Sequence, residues 1–417
     1  MMKKTAVLFL GLLIGLSGCR KPAVVTRNVI TGPAALGVPE TGAYTGAYMG
    51  FGDYEDDVTL ERIEEFEQLV GKHQAIVASS SYWGEQSFPT ANLNIIQRHG
   101  SIPLVFWSPW DRPYQEDNGP DRFSLTSIIA GDWDKYIDKW GDSAREYGHP
   151  ILVSFGNEMN GTWFPWSGAF YGGKNPDPGQ EVTAGTTFTA VPMLSATSMA
   201  PTMITTGTGL VKAPAYKGPF QGPETYKRAY RHVVDRVRAR GAKNVAWVFH
   251  AINYSIPQDN WNLIAQYYPG AAYVDWLGFS VYGEQYIDDK WVSFLPLLEW
   301  PYKEICALDP TKPVMLAEWG VGEFPTKGSK PAFIKEAFEA MRTKFPRLKA
   351  AVFWNERWQN EDTTYSNLRA NSSPEALEAY RQGVADPFWL SEPQLVPLRG
   401  GNRVWRFGSG CGAHAFS

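Results

Sequence analysis

Ile151-Leu152-Val153-Ser154-Phe155-Gly156-Asn157-Glu158 is a short, nearly continuous apolar run that passes through a glycine and ends on a carboxylate. Val314-Met315-Leu316-Ala317-Glu318-Trp319-Gly320 repeats the design. Runs this short and this apolar read as strands buried on both faces, which is the habit of parallel sheets. A carboxylate at the carboxyl end of a barrel strand is placed for chemistry rather than for stability. Outward from these two stretches the same pattern recurs. Further candidate strands are Ala43–Phe51, Ala75–Tyr82, Pro103–Trp107, Val245–His250, Val274–Val281 and Ala350–Trp354. Amphipathic segments lie between them, among them Leu60–Val70, Trp133–Tyr147, Thr225–Arg240, Phe294–Ala307 and Lys330–Lys344. Strand and helix in alternation imply βα units. Eight strands close a barrel, so a single (β/α)8 TIM barrel of the α/β class is expected over residues 43–385. An open doubly wound sheet would carry a Gly-rich phosphate turn after an early strand; Gly42-Ala43-Tyr44-Thr45-Gly46 lies inside a strand pattern instead.

Between Gly172 and Gly222 the alternation breaks into a long stretch rich in Thr, Ala, Pro and Gly. It follows the fourth strand, so this loop is expected beside the site, where long loops in compact domains are usually functional. The tail, 386–417, is irregular and carries Phe388, Trp389, Trp405 and Phe407; packing beneath the barrel is its expected place.

The 417 residues are 44% hydrophobic and carry a formal net charge of -4, so a large core is available and no basic surface is advertised. Nucleic acid is therefore excluded as the main partner, because phosphate binding needs a Lys/Arg excess. The chain has 17 Trp and 20 Tyr, which suits a large aromatic core and equally suits stacking on sugar rings. Its 3 Cys rule out a disulfide scaffold. Cys306 sits in an apolar helical stretch and reads as core, with Cys411 as the one other cysteine beyond the leader. No metal-ligand spacing is present and the His residues are scattered in sequence, so neither a metal nor an organic cofactor is expected.

Lys3 and Lys4 precede the apolar run Ala6 to Leu16, and Leu16-Ser17-Gly18-Cys19 follows. A charged start, a short apolar core and small residues describe a secretory signal. The tetrapeptide resembles a bacterial lipobox, so residues 1–19 are expected to be a lipoprotein signal with Cys19 acylated. Residues 20–42 would then be a tether from the membrane to a secreted, lipid-anchored domain of the cell envelope, on the outer membrane in a Gram-negative cell.

Two carboxyls on separate strands are what glycoside hydrolysis requires: one protonated to release the leaving group, one ionised to meet the anomeric carbon. Glu158 and Glu318 fall on the fourth and seventh strands of the expected barrel. The alternative for each is a structural ion pair at the barrel mouth. A core tyrosine, a core tryptophan and a turn asparagine are the corresponding alternatives for Tyr282, Trp354 and Asn157. For Trp163 and Trp166, three apart, packing and binding are equally open. Glu323 and Glu356, near strand ends, are expected to rim the cleft; His99 reads as core, and His250, ending the fifth strand, could reach the cleft.

Asn157-Glu158 with Glu318 is similar to the clan of retaining (β/α) barrel glycosidases. More narrowly, Glu158-Met159-Asn160-Gly161-Thr162-Trp163-Phe164-Pro165-Trp166 resembles the acid/base motif of glycoside hydrolase family 26, the β-mannanases and their relatives. Further matches follow in order: Gly222-Pro223-Glu224, His232-Val233-Val234-Asp235, Gly241-Ala242-Lys243-Asn244-Val245, Trp247-Val248, Tyr268-Pro269-Gly270, Tyr273-Val274-Asp275-Trp276-Leu277-Gly278, Tyr282-Gly283, Lys312-Pro313 and Ala317-Glu318-Trp319-Gly320. The resemblance implies Glu158 as acid/base and Glu318 as nucleophile, with retention of configuration. It implies that Tyr282 orients the nucleophile, that Trp354 floors the sugar at the cleavage point, and that Trp163 and Trp166 flank the acid/base. Trp83, after the second strand, and Trp107, on the third, are candidate cleft residues, with core packing the favoured alternative. Asn157 stands where many family members carry His, in the place where the wider clan contacts the sugar 2-hydroxyl, and Pro165 stands where many mannanases carry Trp. The implied activity is hydrolysis of a β-1,4-linked polysaccharide, mannan first and mixed-linkage β-glucan second, by a monomer. A carbohydrate-binding lipoprotein without turnover is the alternative of another class.

Overall fold

The computed structural model describes residues 34–114, 119–172, 222–360 and 362–398. Cys19, the stretch 173–221 and the tail beyond 398, with Trp405, Phe407 and Cys411, lie outside the described residues.

Eight parallel strands close on themselves. In chain order they are β1 (Ala43–Tyr48), β2 (Ile76–Tyr82), β3 (Ile102–Ser108), β4 (Ile151–Phe155), β5 (Val245–Ile252), β6 (Trp276–Tyr282), β7 (Val314–Gly320) and β8 (Leu348–Trp354). Each pairs with the next, and β8 returns to β1 through five residue pairs from Tyr44–Ala350 to Tyr48–Trp354. Nearly every strand residue is buried, because one face fills the barrel and the other is covered by helices. The chain is thus a (β/α)8 barrel, and all eight expected strands are present.

The helices begin and end where the sequence supplies caps. Leu60–Val70 (α1) starts at Thr59, whose side chain accepts from the Arg62 N–H, and stops at Gly71 in the left-handed conformation. Thr90–His99 (α2) stops the same way at Gly100. Ser329 and Ser373 cap Lys330–Thr343 and Pro374–Val384, each followed by proline in the first turn. Asp134–Tyr147 and Gly222–Ala239 are laced together by Arg236 with Asp138 and Asp134, and by Arg240 with Asp142. Among the described residues no helix is long and apolar enough to cross a membrane.

The tether expected over 20–42 gives way to structure in its described part. Ala34–Leu36 pairs antiparallel with Leu395–Pro397, and Trp389–Leu390 runs parallel to Ala43–Tyr44. The described part of the tail therefore closes the amino-terminal end of the barrel, with Trp389 packed edge-on against Phe338. Apolar residues on both segments made this pairing possible, but nothing local in either announced its partner.

Two backbone irregularities aim the site. β7 carries one residue more than its neighbours: Leu316 pairs with Phe279 while Glu318 pairs with Ser280, and on the other side Leu316 and Trp319 meet Ala351 and Phe353. A bulge of this kind re-aims the side chain that follows it, here Glu318. Beyond β4 the chain turns through Gly156 and Glu158, both at φ 55. A non-glycine residue there is strained, and such strain gathers at functional sites.

Candidate active site

Glu158 is held by its backbone and by its side chain. Its N–H donates to the His250 carbonyl at 2.8 Å, which ties it to the end of β5. Asn160 reinforces the tie: its side-chain oxygen accepts from Ile252 N–H at 3.0 Å, and its amide donates back to Ile252 O at 3.1 Å. Trp163 Nε1–H donates to Glu158 Oε2 at 2.7 Å. That bond depends on Gly161, since a Cβ there would stand 2.5 Å from the Trp163 ring. The spacing Glu158-x-x-Gly161-x-Trp163 is therefore one device: the glycine lets the indole lie across the turn and reach the carboxylate.

Glu318 faces it from β7. Tyr282 O–H donates to Glu318 Oε2 at 2.7 Å. On its other side Glu318 Oε1 lies 3.9 Å from His250 Nε2. One oxygen of Glu158, one oxygen of Glu318 and a ring nitrogen of His250 lie within 4.8 Å of one another. Ser280, beneath them on β6, has its hydroxyl against both carboxyls and 2.8 Å from His250 Nε2. Burial raises Glu158 above the ordinary carboxylate range, against the hydrogen bonds of Ser280 and Trp163. Burial, and then the charge of Glu158, push Glu318 well above it, against the Tyr282 bond. Two carboxyls this close, out of water, hold one proton between them near neutral pH.

Trp354 ends β8. Its ring stacks on Tyr48 with centroids 4.0 Å apart, and its Nε1–H donates to Glu356 Oε2 at 2.9 Å. Burial, then the charge of Glu55, raise Glu356 to about 7. Glu356 is half-buried and also accepts from the Tyr48 hydroxyl at 3.4 Å. Glu323 accepts from Ser372 and Ser373 and serves the start of the last helix. Asn157 is buried directly before Glu158, and its carbonyl accepts from Trp166 Nε1–H at 2.6 Å.

Three of the candidate aromatic cleft residues are elsewhere. Trp83 and Trp107 are fully buried between the barrel and its helices. Trp107 stacks on Trp140 with centroids 4.2 Å apart and donates to Tyr136 O–H at 3.0 Å. No ligand can reach either ring, because strand-end tryptophans pointing outward meet helices rather than solvent. Trp166 is buried too and stacks on Phe164, so of the pair three apart Trp163 meets the carboxylate and Trp166 supports the turn.

The structure adds residues that the sequence reading passed over. Glu55, in the loop after β1, has its backbone at φ 59 and accepts from Ser80 O–H at 2.6 Å and from Tyr114 O–H. Ser154, Ser280 and Tyr48 join His250 and Trp354 in the site's support.

Two clusters have a spacing that a cation could use. In the first, Glu158, His250 and Glu318, both imidazole nitrogens already face serine hydroxyls. The second gathers Glu67, His73 and His99 at the opposite end of the barrel, although these histidines are scattered in sequence. There Glu67 Oε1 meets His73 Nδ1 at 2.6 Å and His99 Nε2 at 3.0 Å. Burial pushes Glu67 up, but its hydrogen bonds from the two histidines outweigh that and bring it to about 2. Glu67 Oε1 thus gathers both rings and the Gln74 N–H into one network that ties α1 and α2 to the start of β2, with His73 Nε2 buried and without a hydrogen-bond partner among the described residues. Cys306 is a free thiol packed against the core.

The fold recurs in known proteins. Endoglucanase H of Acetivibrio thermocellus is 27% identical over 354 residues, covering 84% of this chain and 31% of that protein. A mannan endo-1,4-beta-mannosidase of Bacillus subtilis strain 168 is 22% identical over 282 residues, covering 67% of this chain and 58% of that one. The chain thus spans less than two thirds of the length of these relatives. Among solved structures, a modular endo-beta-1,4-mannanase of Cellulomonas fimi superposes with a TM-score of 0.53 at 17% identity, over 84% of this chain and 72% of that one. A Bacillus subtilis mannanase does so at 0.51 and 17%, over 86% and 91%. Residues 215–368 match the sequence model of glycosyl hydrolase family 26. That match takes in β5 to β8 with Tyr282, Glu318 and Trp354.

Proposed function

We propose that the protein is a retaining glycoside hydrolase that cuts β-1,4-linked polysaccharide, with Glu158 as acid/base and Glu318 as nucleophile. The observation that carries this reading is the spacing of the two carboxyls, whose nearest oxygens lie within 4.8 Å. Retaining enzymes keep their carboxyls about 5–5.5 Å apart, and inverting ones leave roughly 6.5–9.5 Å for a water. Glu318 attacks the anomeric carbon as Glu158 gives its proton to the departing glycosidic oxygen. A covalent bond from the sugar to Glu318 results. Glu158, now ionised, takes a proton from water; that water attacks the same carbon and frees Glu318. Tyr282 keeps a hydrogen on the nucleophile, and Trp354 offers an aromatic floor to the sugar.

β-1,4-Mannan is the first substrate, supported by the mannanase relatives. Mixed-linkage β-glucan is second, favoured by Asn157 before the acid/base and by the endoglucanase relative. A form starting after Cys19, assayed on galactomannan, glucomannan, mixed-linkage β-glucan, β-1,3-xylan and carboxymethylcellulose, separates them. A ladder of products from galactomannan is the expected result. Cleavage of mixed-linkage glucan alone would transfer the assignment to glucan. Glycan binding with no product from any of the five would favour a binding protein over an enzyme.

A further inference from the structure

We propose that Ser154, His250 and Ser280 form a directed hydrogen-bond relay that turns the Ser280 hydroxyl toward Glu318, holding Glu318 ionised while the shared proton stays on Glu158. The proposal rests on the reading of the two glutamates given above.

The relay runs across three adjacent strands. Ser154 Oγ, on β4, is 3.1 Å from His250 Nδ1, and His250 Nε2, on β5, is 2.8 Å from Ser280 Oγ on β6. All three side chains are buried, so no water competes for these bonds. The groups facing the imidazole are Ser154, Ser280, Glu318 Oε1 at 3.9 Å, a Glu158 oxygen within 4.8 Å and the Phe106 ring at 5.7 Å between centroids. Burial holds the imidazole neutral at neutral pH, lowering its pKa to about 3. A neutral ring has one N–H and one lone pair, so the chain of bonds must run one way or the other.

Glu318 decides the direction. If Ser154 donates to Nδ1, then Nε2–H donates to Ser280 Oγ and also points its positive end at Glu318. The single Ser280 hydrogen is then left for a carboxylate. In the reverse direction Ser280 spends its hydrogen on Nε2 and presents only lone pairs to two carboxyls, which an anion beside it opposes. With the first direction set, Glu318 has Tyr282 on Oε2 and the Ser280 hydroxyl beside it, and a carboxylate with two donors is favoured as the anion. Glu158 has Trp163 alone once the Ser280 hydrogen is committed, and so keeps the proton. The other charged groups acting on Glu318 are Glu158 and Glu55, which disfavour a second charge. Ser280 and His250 act through the carboxyls and are positioning residues.

Two measurements test the relay. In the first, kcat and KM are followed against pH for the wild type, Ser280→Ala and Ser154→Ala. Ser280→Ala is expected to lower kcat by about tenfold to a hundredfold, the worth of one hydrogen bond to a charged group. Its acidic limb, which reports ionisation of the nucleophile, should move up by about one pH unit, with KM little changed. Ser154→Ala should move the same limb in the same direction by less. Both variants keeping the wild-type limb would overturn the relay. The second measurement does not depend on turnover: nitrogen NMR of the His250 ring between pH 5 and 8. A neutral ring protonated on Nε2 is expected, and protonation on Nδ1 or a charged ring would overturn the proposal even if a variant failed to fold. A wild type that cleaves no glycan would refute the hydrolase reading, whereas the ring tautomer would still decide the relay.

Discussion

Glu158→Gln is expected to lower kcat/KM on polysaccharide by about a thousandfold, within the range that general acid catalysis contributes. Gln fills the same space and can still accept from Trp163, so the turn of Gly156, Asn157 and Glu158 should hold and the melting temperature should stay within a few degrees of wild type. The loss should shrink sharply on aryl glycosides whose leaving group needs no proton, because only the first step loses its acid. The pH profile adds a sign. Burial raises Glu158, so the acid stays protonated to higher pH than an exposed glutamate would, and activity is lost as pH rises through its pKa. That basic limb should flatten in Glu158→Gln. Equal losses on activated and natural substrates, with an unchanged basic limb, would remove Glu158 from the acid role.

Glu318→Ala is expected to cost more, about 10⁵-fold, because it deletes the positioned nucleophile and with it the covalent route. Activated substrates should not rescue this variant, in contrast to Glu158→Gln. Azide should, since it fits the space vacated by the carboxylate beside Tyr282 and attacks from the same face. The product would be the α-glycosyl azide, of configuration opposite to the substrate. Mass spectrometry and NMR of the azide product read the result directly. A β-glycosyl azide would mean that Glu318 is the acid/base and that the roles are exchanged.

The barrel was legible because each of its strands is a short apolar run and each break between runs carries a cap or an amphipathic face. Leu60–Val70 is a helix in sequence and structure alike, since Thr59 and Gly71 mark both ends. Glu158 and Glu318 were legible because a carboxylate that ends a buried strand has few structural reasons to be there. The support was harder to read. Ser154, His250 and Ser280 are polar residues inside apolar runs, and that is a local signal, but their meeting depends on the register of three adjacent strands. Glu55 had no signal at all: it lies in a loop, and only the closure of β1 against β2 brings it to Ser80. Trp83 and Trp107 fell to core packing because the strand-end position that gives glutamate access to the cleft can point a ring the opposite way, into the helical layer. The Glu67, His73 and His99 network was hidden by sequence distance, although each residue closes a helix or opens a strand at the same end of the barrel.

The central claim is a double displacement across a short carboxyl spacing, and the anomeric configuration of the first product tests it most directly. Proton NMR of a soluble β-linked oligosaccharide, recorded within the first minutes of hydrolysis by the wild type, separates the two outcomes before mutarotation mixes them. The account predicts the β-anomer first, with the α-anomer growing in slowly. The α-anomer first would show single displacement by water and would contradict the role assigned to Glu318.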